Sequence, residues 1–278
     1  MLNIEKGRYL CKFTTLNKNI INSIYENNLW HARVDTLNDP FELYFNFIKV
    51  LPNSTEGLCT LMEDSNYWVE PHLIVQEREA AIGLLTSSRE NELRSRVMNR
   101  IIKHEILLKK RIRTLSICSL SEAYDEPLMW SHYSDGMRGI CLMFDKEKLI
   151  QSSLEFKVVT YEKTPPEFDF FDQEKKYRNN EEMDFVELFT TKHTGWGYEK
   201  EFRSISFKTN ENSSKLGVSM QLKSNSLKGI IMGSNISQVD KSLLKTLSEE
   251  FGFDLYIATA NNENYSVDIK GINKKPAN

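Results

Sequence analysis

The chain has 278 residues, of which 40% are hydrophobic and 27% charged, with 36 Lys and Arg against 39 Asp and Glu. A formal net charge of -3 excludes a protein that holds a polyanion by overall charge, so any nucleic-acid contact needs a local patch. No apolar run approaches the roughly 20 residues that span a bilayer, and Glu5, Lys6 and Arg8 stand where a signal peptide would be apolar, so a cytoplasmic protein with no membrane partner is expected. The length predicts one domain over residues 1–278. Cys11, Cys59, Cys118 and Cys141 are scattered, with no C-x-x-C, which predicts reduced structural thiols rather than a disulfide frame or a zinc site.

The first predicted element is a strand over Arg8–Phe13, followed by a helix between Thr14 and Tyr25 with Leu16, Ile20, Ile21 and Ile24 on one face. Leu29–Val34 predicts a second strand, ended by Asn38-Asp39-Pro40, where turn formers meet a residue that cannot continue a ladder. Residues 71–113 read as a helical insertion, with Leu93, Val97, Ile101, Ile102, Leu108 and Ile112 at three- and four-residue steps. Its second half, Arg89 to Arg113, holds nine Lys or Arg against three Glu. That excess makes it the expected contact for nucleic acid, or else a solvated basic face.

Thr114–Leu120 and Gly139–Phe144 predict buried strands, and the stretch between them that contains Met129-Trp130-Ser131-His132-Tyr133 reads as a pocket rim or a turn. A strand is expected over 154–161, and the acidic, aromatic stretch 162–184 reads as a loop or lid. Phe185–Lys192 predicts a short helix and Glu199–Phe207 a strand. The last third reads as a strand at 227–233, a helix at 239–251, a strand at 254–258 and a final strand at 264–269. The class is α+β, with central mixed or antiparallel sheets and a long basic helical insertion.

Three stretches carry chemistry. In Glu199-Lys200-Glu201-Phe202-Arg203, strand alternation would put both carboxylates and the guanidinium on one face, where Arg203 could hold one carboxylate ionised. A surface charge ladder would show the same spacing. In the stretch around Tyr133, Trp130 or Tyr133 could stack on a flat ring and His132 could act as acid or base, while core packing is the plainer reading. Asn38-Asp39-Pro40-Phe41-Glu42 could close one end of a pocket, or only cap the next element with Glu42 in its first turn. No H-E-x-x-H, Walker loop, G-x-G-x-x-G or G-x-S-x-G occurs, so metal is not expected and those enzyme classes recede.

Taken in order, Asn38-Asp39-Pro40-Phe41-Glu42, Cys118-Ser119-Leu120-Ser121 with Met129-Trp130-Ser131-His132-Tyr133 and Gly139, and Trp196-x-Tyr198-Glu199-Lys200-Glu201-x-Arg203 resemble the signature of a bacterial family known only as domain of unknown function 2971. That resemblance runs from Tyr9 to about Tyr265 and implies no reaction. The chain also resembles the ADP-ribosyltransferases, especially their nucleic-acid-modifying toxin branch, in an early strand with a polar residue, a middle aromatic or hydroxyl residue and a late E-x-E.

This second resemblance implies an ADP-ribosyltransferase-like fold and NAD as substrate. It also implies transferase or NAD glycohydrolase activity in a toxin or phage-defence effector, with an antitoxin or defence protein as partner. Glu201, Glu199, Tyr133 and His132 would be catalytic, and Lys12, Trp130, Ser131, Asn38 and Arg203 would bind the cofactor. The early position is Lys12 where that superfamily usually has arginine or histidine, so it would act as a point charge without a fork. Two alternatives stay open: a metal-independent nuclease using His132, Glu201, Arg203 and Lys12, and a non-catalytic sensor or partner-binding module.

Overall fold

The computed structural model describes residues 7–51, 53, 90–169, 185–206 and 216–272. The elements begin with β1 (Tyr9–Thr14), α1 (Lys18–Tyr25), β2 (Asn28–Arg33), β3 (Asn46–Ile48), α2 (Glu90–Arg113), β4 (Ser116–Ser121) and α3 (Pro127–Tyr133). They continue with β5 (Ile140–Asp145), α4 (Lys146–Gln151), β6 (Phe156–Val158), β7 (Thr160–Glu162), β8 (Glu167–Asp169), α5 (Val186–Thr190) and β9 (Thr191–His193). The last are β10 (Glu201–Ser206), β11 (Gly217–Gln221), β12 (Leu227–Gly233), α6 (Gln238–Phe251), β13 (Asp254–Asn261) and β14 (Ser266–Gly271). The class is α+β around a mixed sheet. By its contacts the chain divides into two compact units: Met1–Glu42, Thr114–Lys163 and Lys192–Asn278 form the first, Leu43–Arg113 and Thr164–Thr191 the second.

The first unit carries a ten-stranded sheet whose main path runs β11-β2-β4-β1-β5-β12-β13-β14, with β10 on β4 and β6 on β10. All pairings are antiparallel except β12 with β13, which α6 joins as a crossover. The ends of α6 follow from sequence: the Ser237 side chain accepts from Asp240 N, and Gly252 closes the helix at φ +75°, where a Cβ would be strained. Strand alternation then sorts the core. Leu10, Leu142 and Ile230 pack on one face of the sheet with Leu244 and Leu247 of α6, while Cys11, Met143 and Ile231 pack on the other with Trp130 of α3.

One irregularity in this sheet matters for function. β10 pairs with β4 along its whole length, from Glu201↔Ser121 to Ser206↔Ser116. The opposite edge of β4 is shared: β2 takes its start, through Ala32↔Ile117 and Arg33↔Ser116, and β1 takes its end, through Cys11↔Ser121. In this register Cys118, Ser119 and Leu120 have cross-strand partners on β10 alone. The sheet therefore splits between β1 and β2.

In the second unit β3 and β8 pair in parallel, placing Phe47 beside Phe168; Phe185 stacks on Phe168 and Phe45 packs edge-on and tilted, with centroid distances of 5.4–6.4 Å in the group. α2 buries Val97, Ile101 and Ile112 at the predicted spacing and holds Lys49 and Lys109 on Glu105 at 2.6 and 2.7 Å.

Several boundaries differ from the sequence reading. The stretch around Met129, expected as a pocket rim or a turn, is the helix α3, started by Pro127 in its first turn with the Glu126 side chain accepting from Leu128 N. The strand expected to begin at Glu199 begins at Glu201, because residues 194–199 form a 3-10 helix and Lys200 is left-handed at φ +43°. The strand expected over 154–161 is two short ones, β6 and β7, and β11 was not expected. β8 lies inside the stretch read as a loop or lid, whose residues 170–184 are outside the described residues, as are 71–89 of the helical insertion.

Candidate functional site

The split in the sheet contains a cavity of about 180 Å³. Its polar wall is Lys12, Asn38, Glu42, Ser119, Lys192 and Glu199, with Tyr133 and Glu201 beside them, and its apolar wall includes Phe13, Ile117, Leu120 and Met129. A sheet normally fills the space between strands with hydrogen bonds. Here β1 and β2 diverge from β4, and side chains of opposite charge line the gap.

The centre of this charge is Glu201, 2% exposed. Its Oε1 accepts from Ser119 Oγ at 2.5 Å and Arg203 Nε at 2.8 Å, and its Oε2 from Arg203 Nη2 at 3.1 Å and Lys192 Nζ at 3.3 Å. Burial alone would raise this carboxyl, but Arg203, Lys192 and Ser119 outweigh it and hold it at about 2. Glu199 accepts from Tyr133 Oη at 2.5 Å and from Lys192 Nζ at 2.7 Å. Lys192 therefore joins the two carboxylates of the E-x-E, its ammonium 4.8 Å from the Trp196 ring.

Each position has a local cause. The left-handed Lys200 turns the chain between Glu199 and Glu201, and Ser121 fixes the bend by donating to Glu199 O and accepting from Ala123 N. Glu201 N donates to Tyr161 Oη at 2.8 Å, anchoring the first residue of β10; burial, partly offset by this bond, leaves the Tyr161 phenol raised to about 12. Burial, with the bond to Glu199, also raises the Tyr133 phenol, which stays a neutral donor.

Glu42 comes from a turn. Asp39, 6% exposed, accepts from Phe41 N through Oδ1 and from Glu42 N through its backbone oxygen, and this brings the Glu42 side chain into the cavity wall. Glu42 Oε1 lies 2.8 Å from Arg203 Nη2 in an ion-pair contact without hydrogen-bond geometry. Burial lifts the Glu42 carboxyl above its ordinary value against the pull of Arg203, with Glu201 adding to the rise. Two carboxylates on one guanidinium are thus pushed in opposite directions, a common arrangement where acid–base roles are divided.

The structure brings together Lys12, Asn38, Tyr133, Glu199 and Glu201 on the wall of one cavity. Lys12 Nζ also lies 3.6 Å from Cys118 Sγ. Four other expected site residues are outside that wall. Trp130, expected to stack on a flat ring, is 1% exposed, with its Nε1 on Tyr124 O and Phe13 edge-on at 5.2 Å, so both faces are spent on the core. Ser131 and His132 are exposed, and His132 Nδ1 bonds Tyr198 Oη at 3.0 Å. Arg203 is fully buried, outside the cavity wall, and is paired with Glu201 and Glu42 of that wall. Glu199 also reaches its place by the turn at Lys200 and not by strand alternation.

Lys192 and Ser119 were not anticipated as site residues, while the stretch ending in Glu42 closes one end of the cavity, one of the two readings its sequence left open. Ser119 alternates with Ser121 on β4 and faces β10, which was legible only once the two strands were paired. Lys192, in Thr191-Lys192-His193, carries no motif at all. Among the described residues no group of three or more His, Cys, Asp or Glu is arranged to hold a metal ion, and Cys11, Cys118 and Cys141 are buried and free.

Residues 129–204 match the model of a family described as Protein of unknown function (DUF2971). The match covers α3 through most of β10, and so includes Tyr133, Lys192, Glu199, Glu201 and Arg203, while Lys12, Asn38 and Glu42 precede it. Neither the curated proteins nor the solved structures include a match to the chain. No described helix is long and apolar enough to cross a membrane.

Proposed function

We propose that this cavity binds NAD and breaks its nicotinamide–ribose bond, transferring ADP-ribose to an acceptor or to water. The observation that supports this reading is the convergence of Lys12, Tyr133, Glu199 and Glu201, from three distant stretches of chain, on one cavity. Breaking the bond develops positive charge on the ribose, and a carboxylate kept ionised in a buried site stabilises that charge without reorganising. With four hydrogen bonds, Glu201 has its lone-pair positions filled and contributes as a fixed negative charge. Glu199 has two bonds and capacity left to accept from a ribose hydroxyl. Tyr133 offers an aromatic face for nicotinamide, and Lys12 a point charge for the adenosine side of the molecule.

The nuclease reading has less support, because His132 is outside the cavity wall and the proposed acid is then separated from Glu201. Nucleic acid as acceptor is supported by the exposed Lys103, Lys110, Arg111 and Arg113 of α2. A role as toxin or defence effector, with a cognate inhibitory protein, belongs to the same reading and is tested by expression in a bacterial host. The direct test is release of nicotinamide from NAD by the full chain: the wild type releases it and Glu201→Gln lowers the rate by about 100-fold or more. No release by the wild type, with no NAD binding, would remove the proposal.

A further inference from the structure

We infer that Glu42 is a further catalytic residue of this cavity, the general base that removes the proton of the attacking acceptor. The inference rests on the reading of the site as one that cleaves NAD. In that reaction nicotinamide leaves as a neutral molecule, so its departure needs no acid. The proton to be moved is the acceptor's. With water as acceptor, an O–H bond breaks and its proton goes to the Glu42 carboxylate while the oxygen forms a bond to C1 of the ribose. The C1–N bond breaks at the same centre, and its electron pair stays on the nicotinamide nitrogen. Glu42 then returns its proton to solvent.

Three observations single out Glu42. It lines the cavity, and its side chain is 7% exposed. Its Oε1 is buried against Arg203 in an ion-pair contact and has no hydrogen bond. Glu201 spends its oxygens on Ser119, Arg203 and Lys192, and Glu199 is bound to Tyr133 and Lys192, so of the three carboxylates Glu42 is the one least engaged. His132 is outside the wall, and His31, fully buried on Leu29 O and Ser204 Oγ, has no access to a ligand. Arg203 ties Glu42 to Glu201, so the base and the charge-stabilising carboxylate are held by one guanidinium.

The groups that face Glu42 are Arg203 and Glu201 of β10, Lys192 of β9 and Asp39 of its own turn. Burial, Glu201 and Asp39 favour its protonated form, and Arg203 and Lys192 oppose them, with a net rise. A base with a raised value is stronger once ionised and brings its titration nearer to neutral pH.

The test measures nicotinamide release from NAD, with water as acceptor, between about pH 5 and about pH 9. It compares the full-length wild type with Glu42→Gln, Glu42→Ala and Glu201→Gln. The wild-type kcat is expected to rise with pH to a plateau. Glu42→Gln should lower kcat by about 100-fold, remove that rise and change KM for NAD by less than about threefold. Added formate should restore part of the rate to Glu42→Ala but not to Glu201→Gln, a result that a merely structural role would not give. Thermal melting of Glu42→Gln checks that it folds. If Glu42→Gln keeps the pH dependence, or Glu42→Ala shows no formate rescue, Glu42 is not the base, and activity lost only in Glu201→Gln would leave the NAD reading standing. No release by the wild type removes both.

Discussion

The two units each hold a cavity, of about 180 Å³ in the first and about 250 Å³ in the second, but their walls are opposite in chemistry. The first is walled by buried carboxylates and the cations that hold them, the second by Phe47, Phe168 and Phe185 with His104 and Arg111 on α2. An apolar wall is what packing produces wherever phenylalanines meet. A buried Glu201–Arg203–Glu42 group is costly, because desolvating each ion removes several kcal/mol that pairing only partly returns. Such a cost is a better pointer to function than cavity size.

The comparison predicts different consequences for substitutions in the two units. The largest effect is expected from Arg203→Met, which leaves Glu201 and Glu42 buried without their shared cation and should destabilise by about 3–5 kcal/mol, read from urea unfolding. A stable Arg203→Met protein would mean that the charges are not as enclosed as described. Phe168→Ala should cost a similar, slightly smaller amount, about 3 kcal/mol, through the cavity it leaves among Phe45, Phe47 and Phe185. Unlike Glu201→Gln, it should leave nicotinamide release per folded molecule unchanged, and a loss of activity there would blur the contrast.

His31 supplies a prediction in pH. Burial lowers its value to about 4, against the help of Leu29 O, so the folded state releases the proton that the unfolded state keeps below about 6.5. Stability from this group is present above about pH 6.5 and lost as pH falls towards 4, by up to about 3 kcal/mol. His31→Gln should flatten the unfolding free energy across that window. Glu201, also lowered, acts further down: its contribution is present above about pH 4.5 and lost as pH falls towards 2. The smallest effect is expected of His132→Ala, within about 0.5 kcal/mol in stability and without change in kcat, because the ring is exposed and outside the cavity wall.

Much of the fold follows from patterns visible along the chain, and the misses have physical reasons. β1, β2, β5, β12 and α6 stand out because period and caps agree locally. α3 is hard to see as a helix in a stretch that mixes aromatics, hydroxyls and glycines, although Pro127 in its first turn is a favourable helix start. Read as a helix, the segment places Trp130 and Tyr133 three residues apart on one face, with Ser131 and His132 on another. That spacing would have separated the core and cavity residues from the exposed pair. The left-handed Lys200 could not be foreseen, since lysine has no preference for positive φ. Lys192 meets Glu199 and Glu201 across the 3-10 helix over 194–199, seven and nine residues further along the chain, and no periodic spacing in the sequence encodes that meeting.

The most direct measurement is a crystal structure of the full chain with an NAD analogue whose glycosidic bond resists cleavage. The account predicts dinucleotide density in the split of the sheet, with the nicotinamide end against Tyr133, the ribose within reach of Glu199 and Glu201, and Glu42 beside C1 of that ribose. Density elsewhere on the molecule, or a cavity that excludes the analogue at saturating concentration, would contradict it.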